Sequence, residues 1–126
     1  MNDLPNGRVL VVEDDPAICR LITEIVEEQT PLSVVCAQSD RQAYATIPSL
    51  PRFKAIILDI NLGRGTTGFD VARFARPVIP AAAVIYVTGE ATDQTFRAMG
   101  VPDSGFLEKP FTPDELIDAL RLRVSA

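Results

Sequence analysis

With 126 residues, 47% of them apolar and 23% charged, the chain has the size and composition of one domain able to bury a single core. A formal net charge of −5 argues against non-specific nucleic-acid binding and against an anionic membrane surface, both of which need an excess of Lys and Arg. No apolar run approaches the roughly 20 residues that span a bilayer. The start, Met1-Asn2-Asp3-Leu4-Pro5, lacks the basic-then-apolar pattern of a signal peptide, so a cytoplasmic protein is expected. There is no histidine, which removes the usual general base and the commonest zinc ligand. Cys19 and Cys36 have no metal-ligand spacing and are expected to be reduced, mostly buried thiols.

In chain order, Arg8 to Val12 is a continuous apolar strand of the kind buried on both faces. Asp15 then reads as a helix N-cap with Pro16 at the first helical position. Ile18, Leu21, Ile22, Ile25 and Val26 follow as one apolar stripe. Leu32 to Ala37 is a second strand, and Ser39 or Asp40 caps a short helix to about Ile47. Ala55 to Leu58 is a third strand, stopping at Asp59. The Gly-rich stretch Gly63 to Gly68 leads into a helix containing Val71 and Phe74. No Gly-Lys-Ser/Thr follows it, so it reads as a connection rather than a phosphate cradle. Ala82 to Val87 is a fourth strand, followed by a helix from about Thr92 to Met99 that Gly100 stops. Gly105 to Glu108 is a fifth strand. Thr112-Pro113-Asp114-Glu115 is a capping box opening a last helix, with Leu116, Ile117 and Leu120 inward.

Five such βα units predict an α/β domain, a doubly wound parallel sheet with five helices distributed over both faces. One domain over residues 1–126 is expected, with a core from about 7 to 124, loose residues only at the first half-dozen positions, and no output domain. Ligands of such sheets bind beyond the carboxyl ends of the strands. The polar residues there are Glu13 and Asp14 after strand one, Asp59 and Asn61 after strand three, Thr88 after strand four and Lys109 after strand five. Taken singly, each has a plain structural reading as a turn, cap or surface residue. Converging at one sheet edge, they form a set with its own chemistry. Three carboxylates repel one another unless a cation offsets them, and Mg²⁺ suits a few carboxylate or carbonyl oxygens plus water. An aspartate nucleophile, a metal, a lysine and a hydroxyl are the equipment of phosphoryl transfer.

The segments Val11-Val12-Glu13-Asp14-Asp15-Pro16, Leu58-Asp59-Ile60-Asn61, Tyr86-Val87-Thr88-Gly89 and Phe106-Leu107-Glu108-Lys109-Pro110-Phe111 resemble the receiver domain of two-component response regulators. The resemblance runs from about Gly7 to Val124. It implies a flavodoxin-like sheet of order 2-1-3-4-5. It implies Asp59 as phosphoacceptor, Glu13, Asp14, Asp59 and the Asn61 carbonyl as Mg²⁺ ligands, and Thr88 and Lys109 as the groups contacting the phosphoryl. Thr88 and Phe106 would form the switch, and Lys109-Pro110 would be cis. A histidine kinase or histidine phosphotransfer protein would be the donor, with a downstream protein as target. The chain would be a monomer or a weak phosphorylation-dependent dimer, a self-phosphorylating and autodephosphorylating acceptor rather than a multiple-turnover enzyme. Two features depart from the family. The loop after Asp59 lacks the common proline and reaches Gly68 one residue late, and Phe106 has no hydroxyl. Asn61 and Glu90 read equally as groups that set the acyl-phosphate lifetime or as an exposed polar rim.

Three rival readings fit the sequence less well. A haloacid-dehalogenase-type phosphohydrolase would want an Asp where Asn61 stands, and a cap domain that this length cannot hold. A pseudo-receiver, a phosphorylation-independent interaction module, would be favoured by a missing acceptor, acid or lysine, and none is missing. A flavodoxin-like flavin protein would need phosphate donors where Glu13 and Asp14 stand.

Overall fold

In the computed structural model, which describes residues 4–49, 52–60, 68–89 and 100–124, the β-branched runs form five strands. They are β1 (Gly7–Val12), β2 (Leu32–Ala37), β3 (Phe53–Asp59), β4 (Ala83–Thr88) and β5 (Ser104–Glu108). All pair in parallel, in the expected order β2-β1-β3-β4-β5. Among the described residues there are four helices: α1 (Pro16–Gln29), α2 (Asp40–Ser49), α3 (Gly68–Val78) and α4 (Pro113–Arg123). The helix expected at about Thr92 to Met99 lies outside the described residues.

Because a parallel sheet is covered on both faces, alternate strand residues feed two separate cores. Leu10, Val12, Ile56, Leu58, Val84 and Tyr86 face α2 and α3. Val9, Val11, Ile57, Ile85, Val87 and Leu107 face α1 and α4. Helix starts follow their side chains. Asp15 accepts from the Ala17 amide at 2.9 Å, and Ser39, not Asp40, accepts from the Gln42 amide at 3.1 Å. At α4 the capping box closes from both sides, with Thr112 Oγ1 accepting from the Glu115 amide and Glu115 Oε1 from the Thr112 amide. Such a cap is worth about 1 kcal/mol.

Three expectations need correction. Leu21 is 46% exposed, because a helix on a sheet buries a narrower stripe than the apolar pattern suggests. Phe74, also exposed, packs edge-on against Tyr44 of α2, with ring centroids 5.0 Å apart. Leu4 is buried in the core on the α1 and α4 side of the sheet, so the chain is anchored before residue 7. Cys19 and Cys36 are joined as a disulfide, their Cα atoms 6.4 Å apart, within the span such a bond can bridge. Strand alternation explains the meeting. Val34 packs on the α1 side of the sheet, and Cys36, two residues on, shares that face.

At the amino ends of the strands, the Arg76 guanidinium on α3 donates to the carbonyls of Pro80 (3.3 Å), Ala82 (3.1 Å) and Pro102 (2.9 Å). It thereby ties together the turns that precede β4 and β5. The fully buried Tyr86 hydroxyl accepts from the Val101 amide at 3.0 Å.

Candidate functional site

The carboxyl ends of β1, β3, β4 and β5 deliver four of the expected polar residues to one small region. Glu13 follows β1 directly, and its amide donates to the Ala37 carbonyl at the end of β2 (3.0 Å). Asp59 is the last residue of β3 and Thr88 the last of β4. Lys109 follows β5, its amide donating to the Thr88 carbonyl (2.8 Å). The Lys109 ammonium reaches across to Glu13 Oε1 at 3.1 Å and to Asp59 Oδ2 at 3.4 Å. Glu13, Asp14 and Asp59 each offer an oxygen, all within 4.8 Å of one another. Glu13 and Thr88 are 3% exposed and Asp59 9%, whereas Asp14 is exposed. The Lys109-Pro110 bond is cis.

Electrostatically the cluster is short of positive charge. Burial, then the hydrogen bond and charge of Asp59, push the Glu13 carboxyl up to about 8 against an ordinary 4.5. Burial alone would lower the Lys109 ammonium, but its bonds to Glu13 and the Asp59 and Glu13 charges hold it above the usual lysine value. Among the described residues, no donor lies within hydrogen-bond reach of the buried Glu13 Oε2. A buried acceptor so placed costs free energy unless something binds it.

One pH dependence follows. Folded Glu13 keeps its proton to about pH 8, while an unfolded glutamate releases it near 4.5. The folded state therefore carries the extra proton across that interval, and stability falls as pH rises through it. In chelator-treated buffer the melting temperature should decline from about pH 5 to about pH 8. Glu13→Gln, which keeps the shape but cannot ionise, should flatten the decline. Equal slopes for the two proteins in thermal melts would refute this account.

The family model described as the response regulator receiver domain matches residues 9–121. The chain belongs to that family. Receivers of two-component systems are signalling domains, and relatives of this one include transcriptional regulators. The receiver is 35% identical over 111 residues to the alginate biosynthesis transcriptional regulatory protein AlgB of Pseudomonas aeruginosa, covering 87% of this chain and 24% of that protein. It is 25% identical over 119 residues to the transcriptional regulatory protein YvrH of Bacillus subtilis, covering 94% and 49%. The receiver thus spans half or less of the length of these relatives. Among solved structures it is similar to a response regulator receiver protein from Sinorhizobium medicae, with TM-score 0.85, 28% identity and 95% of each chain covered. It is also similar to the chemotaxis protein CheY4 of Vibrio cholerae, with TM-score 0.83, 26% identity and coverage of 95% and 100%.

Of the residues singled out in the receiver sequence, Glu13, Asp14, Asp59 and Lys109 meet, with Thr88 beside them at the end of β4. Asn61 and Glu90 fall outside the described residues. Phe106 pairs with Tyr86 in the β4–β5 register and packs, partly buried, against the core on the α2 and α3 side. Sequence reasoning gave Lys109 a partner only in an incoming phosphoryl group. The structure also gives it Glu13, which the strand order β1-β3-β4-β5 brings within reach. In the sequence Gly68 is marked only by its position. A Cβ there would collide with the Asp59 carbonyl oxygen, so α3 begins against the backbone of the strand end itself.

Proposed function

We propose that this receiver takes a phosphoryl group onto Asp59, in the cytoplasm, from the phosphohistidine of a histidine kinase or phosphotransfer protein. The observation that carries the reading is the buried Asp59 carboxylate held beside Lys109 at the focus of three acids. In the step, an Asp59 oxygen attacks phosphorus, the P–N bond to the donor imidazole breaks, and that nitrogen takes up a proton. Lys109, already paired to Asp59, offsets charge on the transferred group, and the Thr88 hydroxyl donates to one of its oxygens.

Mg²⁺ fits this donor set. Three acids come together, two of them paired to Lys109, and among the described residues no donor reaches one buried oxygen of Glu13. Asp14, Glu13, Asp59 and the Asn61 carbonyl would hold the ion, which when bound supplies positive charge to the oxygens of the transferred group. Asp14, being exposed, gives the ion access from solvent. Incubation with acetyl phosphate and Mg²⁺ should add one phosphoryl group to the intact mass, and excess EDTA should prevent it. An adduct that forms equally well in EDTA overturns the metal's role.

The output is proposed to run through Phe106 toward the surface from about residue 92 to 120. Phe106 already lies half in the core beside Tyr86, so a small shift at Thr88 has a large apolar ring to act on. Backbone NMR shifts on adding beryllofluoride should extend into that range and shrink in Phe106→Ala. Shifts confined to the surroundings of Asp59 would rule the surface out.

A further inference from the structure

The acidic turn Glu13-Asp14-Asp15 is bracketed by the two cysteines. On one flank Cys19 closes the first turn of α1, its amide donating to the Asp15 carbonyl at 3.0 Å. On the other, Cys36 immediately precedes Ala37, whose carbonyl accepts from the Glu13 amide at 3.0 Å. The disulfide thus joins the two segments from which the acids hang. The pair is also arranged for the opened state. The Cys36 sulfur stands 3.8 Å from the Cys19 carbonyl oxygen and 3.5 Å from Thr23 Oγ1, so a Cys36 thiol would find an acceptor in place. Cys36 is exposed while Cys19 is 2% exposed, which orders the chemistry.

We propose that Cys19–Cys36 is a reversible redox modification site that sets how tightly the acid cluster holds its divalent cation. The inference rests on the metal-binding reading given above. Oxidation begins at the accessible sulfur. The Cys36 thiolate attacks hydrogen peroxide, the O–O bond breaks, and Cys36 becomes a sulfenic acid as hydroxide leaves. The Cys19 sulfur then displaces the Cys36 oxygen, which leaves as water after taking the Cys19 proton, and the S–S bond forms. Two equivalents of a small thiol reverse the reaction by exchange, yielding both cysteine thiols and one small-molecule disulfide. In a reducing cytoplasm, disulfides of this kind are mostly transient and sensing rather than permanent.

The bond matters to the cation because it removes an independent motion. With free thiols, β2 stays paired to β1 as far as Ala37, but no covalent tie links its end to the start of α1. With the bond closed, they move as one, and less freedom is lost when Glu13 and Asp14 are fixed around an ion. The disulfide form should bind Mg²⁺ about fivefold more tightly than the dithiol, at the low end of measured site-to-site coupling.

The test uses the full chain in two states. One is treated with hydrogen peroxide and the other with dithiothreitol, and thiol titration verifies each. Both are titrated with Mg²⁺ by calorimetry, alongside Cys36→Ser under the same treatments. Tighter binding in the disulfide form, with Cys36→Ser matching the dithiol whatever the treatment, supports the inference. Equal Mg²⁺ affinities in the two forms overturn it while leaving the metal reading intact. A bond that does not reform after reduction overturns it too. Absence of Mg²⁺ binding in both forms overturns the metal reading, and the inference with it.

Discussion

Asp59→Asn is expected to keep the fold and to lose the phosphoryl adduct completely. The amide has nearly the shape of the carboxylate, so the end of β3 should keep its place, and Lys109 retains its 3.1 Å bond to Glu13. What vanishes is the anionic nucleophile, and a neutral amide does not form an acyl phosphate. The substitution should also stabilise the metal-free protein, since it removes a buried negative charge that helps push Glu13 upward. The two effects point in opposite directions, and this separates chemistry from damage. A variant that merely unfolded would lose the adduct and melt earlier. Intact mass after treatment with acetyl phosphate and Mg²⁺, together with a thermal melt, reads both. An adduct appearing at the wild-type rate would move the acceptor to Glu13 or Asp14 and sink the assignment.

Gly68→Ala should be the most damaging substitution of a single small residue. At the start of a helix, alanine for glycine ordinarily gains at most about 1 kcal/mol. Here the new Cβ would collide with the Asp59 carbonyl oxygen and stand 3.1 Å from both the Asp59 carbonyl carbon and the Ile60 Cα. These are backbone atoms fixed by the sheet, where the Ile60 amide donates to the Val87 carbonyl, and they cannot swing aside as a side chain would. The clash outweighs the propensity gain, and a net loss of about 2–3 kcal/mol is expected. It should appear as a lower urea midpoint with unchanged slope. Because the atoms that must move belong to the acceptor residue, phosphoryl incorporation should slow as well. An unchanged midpoint would mean that α3 begins elsewhere.

The sheet was legible because its strands are buried on both faces. Val9 to Val12, Ile56 to Leu58 and Ala83 to Val87 are short runs with no charged member, the pattern of parallel strands covered by helices on both faces. The acids were legible for a related reason: in such a sheet the residues after the apolar runs all emerge at one edge. What escaped depends on distances that periodicity does not carry. Leu21 fits its stripe and yet lies half outside the core, because the stripe shows a direction and not the width that the sheet will cover. The Cys19–Cys36 bond was within reach of the sequence. Alternation along β2 puts Cys36 on the face of Val34, and α1 must cross that face to bury Ile22 and Val26. Composition, which favoured free thiols, pointed the other way. The close approach of Gly68 to Asp59 left no trace beyond the glycine itself.

The Arg76 clamp gives the two ends of the sheet different sensitivities. At the carboxyl ends, the arrangement depends on carboxylates and a lysine whose protonation is poised by burial and by one another. At the amino ends, the turns before β4 and β5 hang from one guanidinium and three carbonyls. Amide carbonyls do not titrate. Acid or base therefore acts directly on the cluster at the carboxyl ends, and reaches the tied turns only through the stability of the whole fold.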